Sequence, residues 1–510
     1  MEGERVSETA NLRHWLESGA KAIKGARTKL DSINVFPVPD SDTGTNMYLT
    51  LQEGNRAVSR LPSTASHREV VAAFVRGALM GARGNSGVIV SQYLSAFLTG
   101  LDERGGLDKV GAQGIAEALD EAADAAYGAV LDPVEGTILS VARAAAKGAA
   151  DTLPSKPDRS TAIVAAVLAA RTALAQTHED LPSAKAAGVV DAGAAGLVLQ
   201  LESLAENIAG ADALDALDEV DWEIRGGRER IGRDELAHTG HAHGGAYEVM
   251  FVVAHDSGAG ATLRDQLGKI GDSVAVTGSH GLWQAHVHTD APHLAVEVAH
   301  AHRSYQMLVR NVALSHIGDR ASTGVVALTT CPGLAEPLAD AGAVVLVVPD
   351  PAALKPRALV RAVKDASGRA AVVAAGHPAL RAAALKLADK RSKPELTVLR
   401  CTHEAQVVAA VAASALITPG QDIAEQMAEA VASTAVGSST GDALDDDVDR
   451  LLSRSTEVVT LVLADGINPG IADAVRLSAR TTAPEADINV YLGGHSEPAV
   501  LIGVENPPAH

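Results

Sequence analysis

Apolar residues recur every three or four positions through most of the first 212 residues. The segments LRHWLESGAKAIKGARTKLDSI, NMYLTLQEGNRAVSRL, REVVAAFVRGALM, GVIVSQYLSAFLTG, AQGIAEALDEAADAAYGAV, GTILSVARAAAKGAA, STAIVAAVLAARTALAQT and AGLVLQLESLAENIAG keep this spacing with charges between. That period predicts amphipathic helices packed on a common core. A charged, Gly- and His-rich stretch follows, ALDALDEVDWEIRGGRERIGRDELAHTGHAHGG, and reads as a linker over 213–243. Next, AYEVMFVVA predicts a strand, ATLRDQLGKI a helix, SVAVTG and LWQAHVH two strands, and HLAVEVAHAHRSY a helix. This β-α-β-β-α order suits a small middle α/β domain over 244–319, with helices on one face of its sheet. From 320 to 510, GVVALTT, AVVLVVPD, AAVVAAG, LTVLRC, VVTLVLAD and INVYLG are dense apolar strand candidates separated by helical segments. They suit a largely parallel sheet covered by helices. STAVGSSTGDALDDDVDRLLSRSTE interrupts them near 433–456 as a surface loop or subdomain break. The expected fold class is multidomain: an all-α domain over 1–212, then the middle α/β domain, then a C-terminal α/β domain.

Composition narrows the function classes. Hydrophobic residues make up 47% of the chain and aromatic ones only 3%, so the cores must be built from Ala, Val, Leu and Ile. A net charge of -20 opposes attraction to nucleic acid or to an anionic membrane, and neither partner is expected. The opening MEGERVSETANLRHWLESG is charged and amphipathic and does not read as a secretory signal. No later stretch reads as a membrane span, and a cytoplasmic protein is expected. Cys331 and Cys401 stand far apart in sequence and read as small core residues.

The sharpest chemistry lies in NVFPVPDSDTGTNMYLTLQ, from Asn34. In a turn, Asp40 and Asp42 aim their oxygens at a common cation, a hard ligand set suited to Mg²⁺. Pro37 and Pro39 hold the approach extended. Gly44 permits close ligand approach, while Thr43, Thr45 and Asn46 offer donors at the start of a helix, where phosphate binds well. A solvated turn that merely caps the helix is the plainer alternative. A second segment, GALMGARGNSGVIVSQ, sets Gly77, Gly81, Gly84 and Gly87 around Arg83, Asn85 and Ser86. Close helix packing through glycine accounts for some of these positions equally well.

These blocks, together with DPVEGTILSVAR and AGVVDAGAAGLVL, extend through most of residues 10–210 in order. In them the chain resembles the fatty acid kinase A subunits and the dihydroxyacetone-kinase-like nucleotide domains. The resemblance implies a barrel-like bundle of helices whose acidic loop binds Mg²⁺ and ATP at its mouth. Carried residue by residue, it makes Asp40 and Asp42 the catalytic and metal-holding pair, with Asn34 as a further metal contributor. It places Thr43, Gly44, Thr45 and Asn46 on the phosphates, Asn85 and Ser86 on phosphate or nucleotide, and Glu135, Thr137 and Asp191 near the nucleotide. Ser41 stands where a Gly is usual. The implied activity is that of the ATP-binding component of a fatty acid kinase. It would make acyl phosphate and ADP with a separate fatty-acid-binding protein as partner, and a homodimer is the expected assembly. A kinase of another small substrate and a nucleotide-responsive scaffold remain the alternatives. YLGGHSEPAVLIGVE resembles the family's terminal block, with His495 in place of the usual Gln.

His286 and His288 alternate in LWQAHVHTDAP, so a strand directs both rings to one face, either toward a metal or into surface hydrogen bonds. The resemblance pairs HVHTDAP with zinc and an upstream Cys. Ala246 occupies that Cys position here, and His238, His241 or His243 is the expected substitute for a structural zinc.

Overall fold

The computed structural model describes residues 2–217, 220–223, 245–254, 259–279, 281–314, 323–366, 369–390, 394–418 and 421–506. Two compact units result, 1–244 with 254–288, and 245–253 with 289–510. His238, His241 and His243 lie outside the described residues.

The first unit opens with helices α1 (Glu2–Ser32), α2 (Thr43–Val58), α3 (His67–Gly81), α4 (Gly84–Glu103), α5 (Ala112–Ala129), α6 (Ile138–Thr152), α7 (Arg159–Asp180), α8 (Pro182–Ala187) and α9 (Ala192–Ala209). Several begin on side-chain caps that satisfy the free N–H groups of the first turn. Ser66 and Glu69 form a capping box at α3, and Thr137, Asp158 and Asp191 cap α6, α7 and α9. Packing runs in cyclic order from α1 through α2, α4, α5, α6, α7 and α9 back to α1, with α3 against α2 and α4. The interior is the expected aliphatic one. Ala142, Ala145 and Ala149 of α6 and Ala162, Ala166 and Ala170 of α7 are all buried. Side chains this small let helix axes approach closely, and the few large rings, such as Trp15 edge-on to Phe97 at 5.7 Å, fill what remains. By length and composition α7 is apolar enough to cross a membrane, a test that the core helix of a helical bundle also passes. Its buried residues Ile163, Val167 and Leu174 belong to the helical core.

The same unit includes a helix, Ala259–Gly268, and the hairpin of β2 (Asp272–Ser279) and β3 (Leu282–Thr289), as the apolar alternation predicts. Ala275 opposes His286 and Thr277 opposes Gln284. An isolated bridge joins Val130, just past α5, to Ala275.

In the second unit, β1 (Tyr247–Ala254) pairs antiparallel with β4 (Tyr305–Asn311), which pairs antiparallel with β6 (Val344–Val347). Beyond it β5 (Thr323–Thr329), β7 (Ala370–Ala375) and β8 (Glu395–Val398) continue in the order β6-β5-β7-β8, all parallel, as the dense apolar runs predict. The fold departs from expectation in two places. YQMLVRN is strand β4, although its start reads as the end of a helix; Arg310 within it opposes Glu248 across the sheet and forms a buried ion pair with it. The later strands do not join the parallel sheet. β10 (Val458–Leu463) and β11 (Asp487–Leu492) form a separate sheet with β12 (Val500–Glu505) and β9 (Thr434–Ser439), in the order β11-β10-β12-β9. The 433–456 stretch, expected as a loop or break, thus holds β9 and a helix, Leu444–Asp449, whose Leu444 and Val448 pack under this second sheet. Cys331 and Cys401 are free and buried.

Candidate nucleotide-phosphate site

Asp42 occupies the N-cap position of α2, yet its side chain makes no capping bond. Its Oδ1 instead accepts from the Asn46 amide at 2.7 Å, and the residue is only 4% exposed. A turn that merely capped the helix would show the reverse, an exposed carboxylate on the N2 or N3 amide. Asp40 accepts from the Asn34 amide at 2.8 Å. Asn34 also donates to the Val38 carbonyl and accepts the Thr43 hydroxyl at 2.6 Å, so it ties the two ends of the turn together. Ser41 adopts φ 59°, the left-handed conformation that favours glycine, which explains why a Gly is the easier residue there. The Phe36–Pro37 bond is cis.

A third acid, which sequence reasoning misses, completes the group. Asp31, in the last turn of α1, accepts the Thr45 backbone N–H at 2.9 Å and its hydroxyl at 2.8 Å. Burial raises its carboxyl above the ordinary range, and the nearby Asp42 charge adds to the rise. A signal was available: a carboxylate at a helix C-terminus opposes the macrodipole and calls for a reason. Two residues earlier, Lys29 lies 4.8 Å from the ring centroid of Trp222, whose carbonyl accepts from the Val190 N–H.

The glycine-rich block starts α4 beside this turn. Gly84 has φ 56°, and a Cβ there would stand 2.2 Å from the Asn46 amide nitrogen, so only glycine fits. Like α2, α4 begins without a side-chain cap. The Arg83 N–H donates to Thr50 Oγ1, and Arg83 itself is 1% exposed. Among the described residues, Asn46 Oδ1 and Asn85 Oδ1 are buried with no hydrogen-bond partner. The Asn46 amide is oriented by its bond to Asp42, which leaves its buried oxygen as an acceptor suited to a cation. Asn85 can present either end of its amide. Close acids, a free carbonyl oxygen and two uncapped helix starts fit a divalent cation with phosphate.

The two later blocks meet each other. Asp191 caps α9 through the Ala194 N–H at 2.7 Å, and Gly193 of that turn faces Ile138 at the start of α6. Burial pushes the Asp191 carboxyl up to about 6, against the pull of the Ala194 and Ile138 N–H groups. Gly196 of α9 leaves no room for a Cβ beside the Met47 sulfur, at 2.5 Å, which links this pair of helix starts to α2. Thr137 caps α6, and Glu135 is engaged by the Tyr127 and Ser140 hydroxyls. The hydroxyls of Thr43 and Thr45 are likewise held within the turn, which leaves the backbone amides of Thr43 and Gly44 as its donors.

Residues 37–206, which take in the whole of the site except Asp31 and Asn34, match the DAK2 domain family model. Residues 244–317 match the FakA-like middle-domain model, which describes the middle domain of fatty acid kinase A and similar chains. The chain thus carries a DAK2 domain followed by a FakA-like middle domain. The DAK2-domain protein is 30% identical over 356 residues to an uncharacterized protein of Staphylococcus haemolyticus, covering 64% of this chain and 62% of that one. With Protein YloV of Bacillus subtilis it shares 33% over 295 residues, 56% of this chain and 52% of that one. It thus spans about half to three-fifths of the length of these relatives. Dihydroxyacetone kinase from C. freundii, solved in complex with AMP-PNP and Mg²⁺, is similar at 18% identity and a TM-score of 0.29, over 38% of this chain and 33% of that one.

In the DAK2-domain protein His286 and His288 are buried on β3 with ring centroids 4.9 Å apart, as their alternation predicts. Ala246 contributes its backbone N–H, which donates to Asp290 at 2.8 Å.

Proposed function

We propose that the helical unit binds MgATP at the 31–46 turn and that the chain acts as the ATP-binding component of a cytoplasmic fatty acid kinase. The observation that carries this reading is Asp42, buried beside Asp31 and unused as a cap, where two uncapped helix starts meet. Asp31, Asp40 and Asp42 are the side chains for Mg²⁺, which when bound neutralises charge on the phosphates. The N–H groups that open α2 and α4 orient the terminal phosphate. A fatty-acid carboxylate is already ionised near neutral pH, so the chain needs no general base. One carboxylate oxygen forms the new bond to phosphorus, the bridging oxygen leaves with ADP, and the product is an acyl phosphate. The cyclic packing of helices is read as the wall of a barrel with the site at its mouth. Acyl recognition is assigned to a separate fatty-acid-binding protein, and the chain to a homodimer.

A structural zinc on His286 and His288 is proposed as well, with His238, His241 or His243 to supply the third ligand. Copurifying proteins with their bound lipid, then following labelled terminal phosphate from ATP, tests the kinase reading. Label in acyl phosphate is the expected result. Rapid transfer to a small alcohol without any partner overturns the fatty-acid assignment, and nucleotide binding with no transfer on any lipid-loaded partner leaves the scaffold alternative. Stoichiometric metal that disappears in a His286→Ala/His288→Ala protein tests the zinc.

A further inference from the structure

Gln284 of β3 is 1% exposed and donates its amide N–H to the Ala82 carbonyl at 2.7 Å. Ala82 closes α3 and stands two residues before Gly84. The amide orientation is fixed by chemistry, because the opposite one would set two carbonyl oxygens against each other. Its own Oε1 is buried without a partner among the described residues. A buried glutamine that leaves one polar atom unsatisfied is costly, and a strand facing helices is ordinarily filled by an aliphatic residue instead.

The same hairpin also holds the segment that leads toward Glu135–Thr137. The Leu131 N–H donates to the Val274 carbonyl of β2 at 3.1 Å, beside the Val130–Ala275 bridge. Arg264, on the helix before β2, donates to the Gly128 carbonyl at the end of α5. Residues 128–131 lead directly into the Glu135–Thr137 block. Thus the 82–84 turn of the proposed site and the 128–131 segment are both held by one β-hairpin drawn from later in the chain.

We propose that Gln284 is a positioning residue for the phosphate-facing start of α4, so that the β2-β3 hairpin sets nucleotide affinity through its hold on Ala82. The proposal rests on the nucleotide reading of this site. Without the amide, the 82–84 turn loses the bond that fixes its carbonyl, and Gly84 and Asn85 no longer stay where the phosphates need them.

The test compares wild type with Gln284→Met, which keeps length and removes the donor, and with Asp42→Asn as a control for the reading itself. MgATP titration and hydrogen exchange of the 82–87 amides are measured on the full chain well below its thermal midpoint. Expected are an affinity weaker by about tenfold and faster exchange confined to 82–87 in Gln284→Met, with binding lost in Asp42→Asn. A purely structural glutamine would lower the thermal midpoint and leave affinity unchanged. Wild-type affinity in Gln284→Met, with Asp42→Asn still inactive, overturns the proposal and spares the nucleotide reading. Wild-type affinity in Asp42→Asn overturns the reading, and the proposal with it. Should the methionine variant not fold, Gln284→Glu, which replaces the donor by an acceptor at equal size, is read by the same two outcomes.

Discussion

Asp31 takes the backbone N–H and hydroxyl of Thr45, and in the second unit Glu404 takes the backbone N–H and hydroxyl of Thr330 at 2.7 and 2.6 Å. Thr329 adds a third bond to Glu404 at 2.8 Å. Burial raises both carboxyls, but only Asp31 has a second carboxylate, Asp42, adding to the rise. Glu404 sits in the first turn of its own helix, Glu404–Ala415, where an acid is favoured by the dipole; Asp31 sits in the last turn of α1, where it is disfavoured. The surroundings of Glu404 are closed too. Neighbouring His403 caps the same helix through its Nδ1, and burial lowers its pKa to about 4. The same grip on a threonine therefore serves two ends. Around Glu404 the threonine bonds and the helix start favour the carboxylate against its burial, whereas around Asp31 a second carboxylate adds to the cost of burial, which a cation would relieve.

The comparison breaks most visibly at Asp42. Asp42→Asn and Asp31→Asn are expected to weaken Mg²⁺-dependent ATP binding at least about a hundredfold, while Glu404→Gln leaves it unchanged; calorimetric titration of the three variants decides. Glu404→Ala strips three hydrogen bonds and leaves the buried Thr329 hydroxyl only its longer bond to the Cys331 carbonyl at 3.3 Å, with an expected loss of about 2–4 kcal/mol. Urea denaturation measures it, and Glu404→Gln, which keeps the volume, should lose less than half as much.

Asp191 is a further buried carboxylate, held at the start of α9. Its folded pKa of about 6 lies above the ordinary 3.8, so between about pH 4 and 6 the folded chain holds a proton that the unfolded chain has released. Its contribution to stability is therefore fully present below about 4 and falls as pH rises through about 6, by up to roughly 3 kcal/mol. Asp191→Asn should flatten the pH 4–6 segment of a stability profile followed by helical circular dichroism. A variant whose slope equals wild type would mean that the carboxyl is ionised throughout. The smallest effect is expected at an exposed glycine of α1. Gly25 is exposed within α1, and a Cβ there meets nothing within 4 Å, so Gly25→Ala should add about 0.5–1 kcal/mol by reducing backbone entropy in the unfolded chain, with ATP affinity untouched.

What is legible in the sequence is what short-range chemistry encodes. The helices over 1–212 and the parallel strands declare themselves by period, and the Asp40–Asn46 turn by its concentration of acids, hydroxyls and glycine. Asp31 escapes such a reading because its partners, Thr45 and Asp42, lie more than ten residues on, and only folding brings them to it. β9 escapes it because TAVGSS is small and polar, and its strand character comes from pairing with β12. β4 is hidden because Arg310 reads as surface until Glu248 is placed opposite it. The placement of Gln284 on Ala82 spans 202 residues of chain and has no local trace at all.

The contact between Lys29 and Trp222 has an optical consequence. The 510-residue chain has three tryptophans, and Trp15 is sealed in the helical core while Trp283 packs against Gly260 and Gly278. Trp222 alone stands under a lysine ammonium, one carried two residues before Asp31, and its backbone is bonded to Val190 next to Asp191. An ammonium over an indole shifts and quenches its emission, so charge arriving at the acidic turn should register as a change in intrinsic fluorescence. Trp222→Phe should silence that signal while leaving binding intact, which would give the protein an unlabelled reporter of its own site.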